Sequence, residues 1–168
     1  MQRRSFALAT AAMPLAGCGV AEVKTFPTLV AARDAVAALG ARDRTNGAWP
    51  LPVVLNHLAQ SVEYSMDGYP ELKAVLFRSA IGSVAFAVFE ARGKMGHALA
   101  EPIPGAPALD AQAQLEPAKA RLLAALRRFE AHAGAFAPHF AYGALDKPRY
   151  LRAHLMHLAN HWTEVVRA

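Results

Sequence analysis

An all-α fold is what this sequence predicts: a four-helix bundle carrying an extra helical and loop insertion between its second and third bundle helices. Three observations lead there. Aromatic residues make up only 8% of the chain, Ala, Leu and Val dominate, and alternating β-branched runs are hard to find, so local preference leans to helix. Four stretches repeat apolar residues at helical spacing. The connections between them are marked by Gly, Pro and polar residues, and the long one falls mid-chain, where it permits non-sequential packing.

The elements follow in order. Met1-Gln2-Arg3-Arg4 is a positive segment, and Phe6 to Leu15 is an apolar stretch. At about ten residues it is too short for a bilayer core of roughly 30 Å but has the length of a signal-peptide core. It ends in Leu15-Ala16-Gly17-Cys18, which resembles the lipobox of bacterial lipoproteins, where small residues precede a cysteine that receives lipid before cleavage. That resemblance implies a leader over residues 1–17, lipidation at Cys18, and a tether over residues 18–27. Arg3-Arg4-Ser5-Phe6 also resembles a twin-arginine export signal. The alternative is an N-terminal helix packed on the domain, with Cys18 a small buried apolar residue.

The helical domain is expected over residues 28–168. Thr28 is placed to cap a helix running to about Ala41, with Leu29, Ala32, Val36 and Leu39 on one face. Arg42 to Leu51 contains Asn46-Gly47 and Pro50 and reads as a loop. Pro52 suits the first turn of a second helix that runs to about Asp67, with a stripe of Leu55, Leu58, Val62 and Met66. Glu71 to about Arg92 is apolar and reads as helix with an interruption at Gly82. Pro102 to Pro107 lacks helix potential. Leu115 to Ala133 is the clearest amphipathic helix, and Lys147 to about Arg167 is the last, with Leu151, Leu155, Leu158 and Trp162 facing inward.

Charge and cysteine count narrow the function. The formal charge is +5; without the two leader arginines the remainder is close to +3, scattered from Lys24 to Arg167 with no basic stripe interleaved with aromatics. Nucleic acid is therefore excluded as an expected partner. The single cysteine is Cys18, so the mature chain has no internal disulfide, and any metal site must be built from His, Asp or Glu.

Seven histidines are present, and three of them, His154, His157 and His161, sit close together in the last helical stretch. Offsets of three and seven residues put them within about 60° on one helix face. His157 and His161, at i and i+4, have the spacing by which one helix offers two imidazoles to one ion. Glu164 falls on the same face if the helix continues. A third ligand must come from elsewhere, and His57 is the best candidate, on a side of its helix shared with Gln60 and Tyr64. His97, His132 and His139 show no partner spacing and are not expected to take part. The competing reading is that these imidazoles are structural or exposed, with those near the helix C-terminus favoured by its dipole.

A histidine in the second helix together with His-x-x-x-His in the last resembles the DinB-like superfamily of four-helix bundles. Within it the chain is most similar to domain of unknown function family 1569. The residues that carry the resemblance are Leu55 to Ser65, Tyr69-Pro70, Ile103-Pro104-Gly105-Ala106-Pro107, Pro138 to Gly143, and His154 to His161, within a span of residues 26–166. It implies a divalent metal, zinc or nickel, on His57, His157 and His161, with His154 as ligand, hydrogen-bond donor or base. Gln60, Tyr64 and Glu164 would orient a ligand imidazole or a bound molecule.

Three functions are compatible with this reading: a metal-dependent hydrolase or transferase of the cell envelope, a non-catalytic envelope protein that binds metal or a small ligand, and a metal-free bundle for protein association. An exported protein meets few low-molecular-weight thiols, which disfavours thiol transfer. The expected partners are the membrane through the lipid on Cys18, an unidentified small molecule, and a second copy in a homodimer. The expected location is the periplasmic face of a membrane.

Overall fold

The computed structural model describes residues 25–167; the leader, Cys18 and the first part of the tether lie outside them. The described chain is mostly helical, as α1 (Leu29–Ala37), β1 (Arg44–Thr45), α2 (Leu51–Asp67), a π-helix (Phe77–Gly82), α3 (Ser83–Arg92), α4 (Leu115–Ala131), α5 (Lys147–Trp162) and β2 (Val165–Val166). No helix among the described residues is long and apolar enough to cross a membrane.

Local chemistry explains the starts of the helices. The Thr28 hydroxyl accepts the Ala31 amide at 3.0 Å and opens α1. Pro52 sits in the first turn of α2, where its missing N–H leaves nothing unsatisfied. Asp146 caps α5 by accepting the Arg149 amide at 2.9 Å, again with a proline in the first turn. The expected Leu55-Leu58-Val62 stripe is buried in one core with Leu122, Leu126, Phe129, Val36, Tyr150, Leu155 and Leu158, while Met66 at its end is only partly buried. α2 packs most extensively on α4; α1 lies against α4 and α5, and α2 also meets α5.

The α2 helix buries far more than one stripe. Val53, Val54, His57, Gln60, Ser61 and Ser65 are buried alongside the leucine face. Its position between α4 and α5 brings polar side chains inside the molecule, and the site grows from them.

The ends of the elements correct the sequence reading in three places. α1 stops at Ala37, a turn earlier than expected. α5 stops at Trp162, because Val165–Val166 pair antiparallel with Arg44–Thr45 in a two-stranded ribbon that the expected 42–51 loop and last helix did not foresee. Two adjacent β-branched residues favour that extended pairing over one more helical turn. Glu164 consequently leaves the helix face on which spacing had placed it. Its carbonyl accepts the Asn46 amide at 2.9 Å, and its carboxylate lies over Gly47, about 2.2 Å from where a Cβ there would stand.

The expected 71–92 helix begins only at Val75 and runs without a break through the π-helix into α3, Gly82 keeping helical dihedrals. Gly82 marks a close approach and not the expected interruption: a Cβ there would stand 1.7 Å from the Ala141 carbonyl oxygen. That oxygen belongs to a tight turn closed by hydrogen bonds between His139 and Gly143. Two further contacts hold α3 down. Phe86 is fully buried and stacks on Tyr142 at 5.2 Å, and the Glu90 carboxylate bridges Arg149 at 3.1 Å and Arg152 at 2.6 Å on α5. Val75, Leu76, Ile81, Val84 and Val88 of the segment are exposed.

Replacing Gly82 by Ala is expected to lower the urea midpoint with unchanged slope, a loss of about 1–3 kcal/mol from overpacking against the 139–143 turn. Unfolding curves followed by circular dichroism measure it, and an unchanged midpoint would show that the two backbones are not pressed together.

Candidate metal centre

His57 comes from the first half of α2, and His157 and His161 from the last turns of α5. The i, i+4 spacing stacks the last two on one face, where their Nε2 atoms lie 3.2 Å apart. The crossing of α2 over α5 brings in the third: the His57 ring centroid is 5.2 Å from His157 and 5.0 Å from His161. One nitrogen from each of the three lies within 4.8 Å of the others. His57 and His161 are buried, while His157 is partly exposed. On the far side Trp49 packs edge-on against His57 at 5.2 Å.

A tetrahedral ion with bonds near 2.1 Å holds its ligand nitrogens about 3.4 Å apart. The pair on α5 is close to that distance, and a His57 nitrogen lies within 4.8 Å of both. The Nδ1 atoms of His57 and His161 are buried without a hydrogen-bond partner, an arrangement that costs about 1–3 kcal/mol per group when nothing compensates it. An all-imidazole set suits zinc or nickel and is a poor match to magnesium or calcium, which take oxygen donors. The residues fit a borderline divalent metal.

Electrostatics supply the protonation state such a site needs. Burial, with the neighbouring His97 in second place, lowers His57 to about 4. Burial lowers His161 to about 2, helped by His57 and His97, and His157 lies well below its ordinary value for the same leading reason. All three are neutral at pH 7, the form that ligates.

Next to the three histidines opens a cavity of about 230 Å³, lined by His57, His157, His154, His139, His97 and Ser61 at its polar part. Phe77, Ile81 and Gly82 of the π-helix, Met95, Ile103 and Tyr142 supply apolar wall, and exposed Lys73 and Glu101 complete it. π-Helical turns are often found beside functional sites, since the extra residue re-aims the side chains around it.

His154 stands one turn before His157 and outside the three-nitrogen group. The Ser65 hydroxyl donates to the Val62 carbonyl at 2.6 Å, so His154 Nε2 is the donor in its 3.2 Å contact with Ser65 Oγ. That fixes the tautomer and leaves His154 Nδ1 as an acceptor. Burial lowers His154 to about 3, so it serves as a hydrogen-bond acceptor and not as a proton carrier near neutrality.

Gln60 and Tyr64 point elsewhere. They line a separate groove with Asn56, Pro107 and Arg121, and the Gln60 amide donates to the Pro107 carbonyl at 3.3 Å. Glu164 is held at the ribbon against Gly47.

Two histidines set aside on spacing belong to the site region. His97 lies on the loop after α3, its ring 4.9 Å from His157 and 5.5 Å from His161. His139 is buried, accepts the amides of Ala141 and Tyr142 at Nδ1, at 3.1 and 3.2 Å, and stacks on Tyr142 at 4.2 Å. Neither has a helical spacing to betray it. The only sequence signal was that each sits in a Gly- or Pro-marked connection of the kind that carries sites. His132 instead ends α4, with Nε2 3.2 Å from the Ala135 carbonyl.

A pH dependence follows. His139 and His154 are both lowered to about 3, burial being the leading cause for each. Their unfolded values lie near 6.5, so the unfolded chain takes up protons that the folded one refuses. Stability is thus complete above about pH 6.5 and declines as pH falls towards 3. Urea unfolding in chelator across pH 4 to 8 should show this slope, and His154→Leu should flatten it; a midpoint independent of pH would contradict the buried neutral state.

The family model described as a protein of unknown function, DUF1569, matches residues 22–168. No curated protein and no solved structure matches the chain. With nearly its whole length matched and its three-histidine cluster assembled from α2 and α5, this chain belongs to the DUF1569 family.

Proposed function

We propose that this protein is an exported lipoprotein, anchored through Cys18 at the periplasmic face of a membrane. Its helical domain, built on α1, α2, α4 and α5 as a DinB-like bundle with α3 inserted, holds zinc or nickel on His57, His157 and His161 for hydrolysis of a small ligand. The observation that carries the reading is the cluster itself: three neutral imidazoles from two helices, one pair at 3.2 Å, beside a cavity large enough for a small molecule.

A bound divalent ion would supply Lewis acidity and acidify a water at neutral pH. The chain's own groups do the rest. Phe77, Ile81, Met95 and Ile103 exclude bulk water from the cavity, and His154 Nδ1 accepts a hydrogen bond from a ligand held there. Lys73 and Glu101 are the charged groups of the wall and set which ligand ends are accepted. One observation favours a second reading, a non-catalytic metal- or ligand-binding protein: burial keeps the cavity's inner imidazoles well below neutrality, so none is poised to carry a proton at pH 7.

The chain purified without a polyhistidine tag is expected to retain about one equivalent of zinc or nickel by elemental analysis, and His157→Ala to lose it. A wild type that takes up neither ion after soaking refutes the metal reading. Turnover of ester substrates by the loaded protein supports hydrolysis, and metal without turnover supports the second reading.

Anchoring has its own test. Cys18→Ser should abolish incorporation of labelled palmitate and move the protein out of the membrane fraction. Unlabelled wild type in the soluble fraction would rule out the lipid.

A further inference from the structure

We propose that His97 is a fourth imidazole ligand of this centre, exposed and displaceable where the other three are fixed in helices. The inference rests on the three-histidine reading above and adds a residue that spacing gave no reason to include.

Position is the first support. The rings of the three helical histidines stand 4.9 to 5.2 Å apart. His97 stands 4.9 Å from His157 and 5.5 Å from His161, at the edge of the three-nitrogen group and not yet within it, so a small shift of its loop would bring it to the ion. It also lines the cavity with His57 and His157.

The second support is its hydrogen bond. His97 Nδ1 lies 2.8 Å from the Ala98 carbonyl oxygen. A carbonyl only accepts, so Nδ1 carries the proton and Nε2 keeps its lone pair. A ligating imidazole characteristically donates its other N–H to a carbonyl or carboxylate in this way. His57 and His161 have no such partner for Nδ1; the exposed histidine is the one already held in the ligating tautomer.

The third support is the backbone that carries it. His57, His157 and His161 are set by α2 and α5, whereas His97 follows a loop between Gly93, in the left-handed region at φ +59°, and Gly96, against which nothing packs at the Cβ position. Its side chain is exposed. A ligand entering the cavity can therefore take the place of His97 without disturbing the helical core, and the site passes from four protein ligands to three plus one open position.

Cobalt(II) added to the full-length untagged chain reports this directly through its visible d–d absorption. His97→Ala is expected to fold normally, to weaken cobalt affinity about tenfold or more in competition with a chromophoric chelator, and to change the d–d spectrum. Free imidazole should restore the wild-type spectrum, which a merely structural role would not allow. His97→Gln serves as the second variant should the alanine form be unstable. Wild-type spectrum and affinity in the variants would overturn the assignment of His97 while leaving the other three ligands intact. A wild-type chain that binds no cobalt would remove the three-histidine reading and this inference with it.

Discussion

Desolvation of imidazole is the constraint on which the rest of this structure depends. α2 is buried around much of its circumference, and α5 presents His154, His157 and His161 to the same interior. A protonated imidazole there would be a charge out of water, so burial strips the protons and leaves neutral rings. Neutral rings still carry a donor and an acceptor each, and every one must be satisfied. His154 places its Nε2–H on Ser65, and His139 Nδ1 accepts two backbone amides. His57 and His161 keep Nδ1 buried without a partner, a cost borne in the one cluster among the described residues that could hold a metal ion.

The roof of the cavity follows from a different kind of contact. The π-helix and α3 sit on the 139–143 turn because Gly82 allows the Ala141 carbonyl to touch the helix backbone. Phe86 on Tyr142 adds to that contact, and Glu90 between Arg149 and Arg152 ties the segment to α5. The same α5 that carries the histidines thus also carries the roof, so ligand geometry and cavity shape share one support. The segment leaves Val75, Leu76, Ile81, Val84 and Val88 exposed, so its hold on the molecule comes from these few contacts and not from an apolar stripe of its own.

Much of the helical architecture was legible from periodicity, because apolar stripes at helical spacing report directly on burial. Thr28 and Pro52 were readable for the same local reason, a cap or a fixed φ whose effect reaches only one turn. The pair His157 and His161 was readable because i, i+4 spacing is itself a geometry. Helix ends were less so. Val165 and Val166 leave α5 for a strand only because Arg44 and Thr45 lie beside them, a pairing across more than a hundred residues that no window contains. With that pairing Glu164 left the helix, and Gln60 turned out to serve the 102–107 loop.

From the sequence alone came the helical class, the histidine pair on one helix, the choice of His57 as its partner, and the lack of any thiol beyond Cys18. The class, the pair and the thiol count are decided by local spacing and composition, whereas the meeting of His57 with the pair depends on how α2 crosses α5. Only the tertiary structure decided that His97 and His139 belong to the site region, that Gly82 is a contact and not a break, and that a cavity opens beside the three imidazoles. Each of those depends on loops brought against helices from far along the chain, where the governing forces are burial and steric fit between segments that share no periodicity.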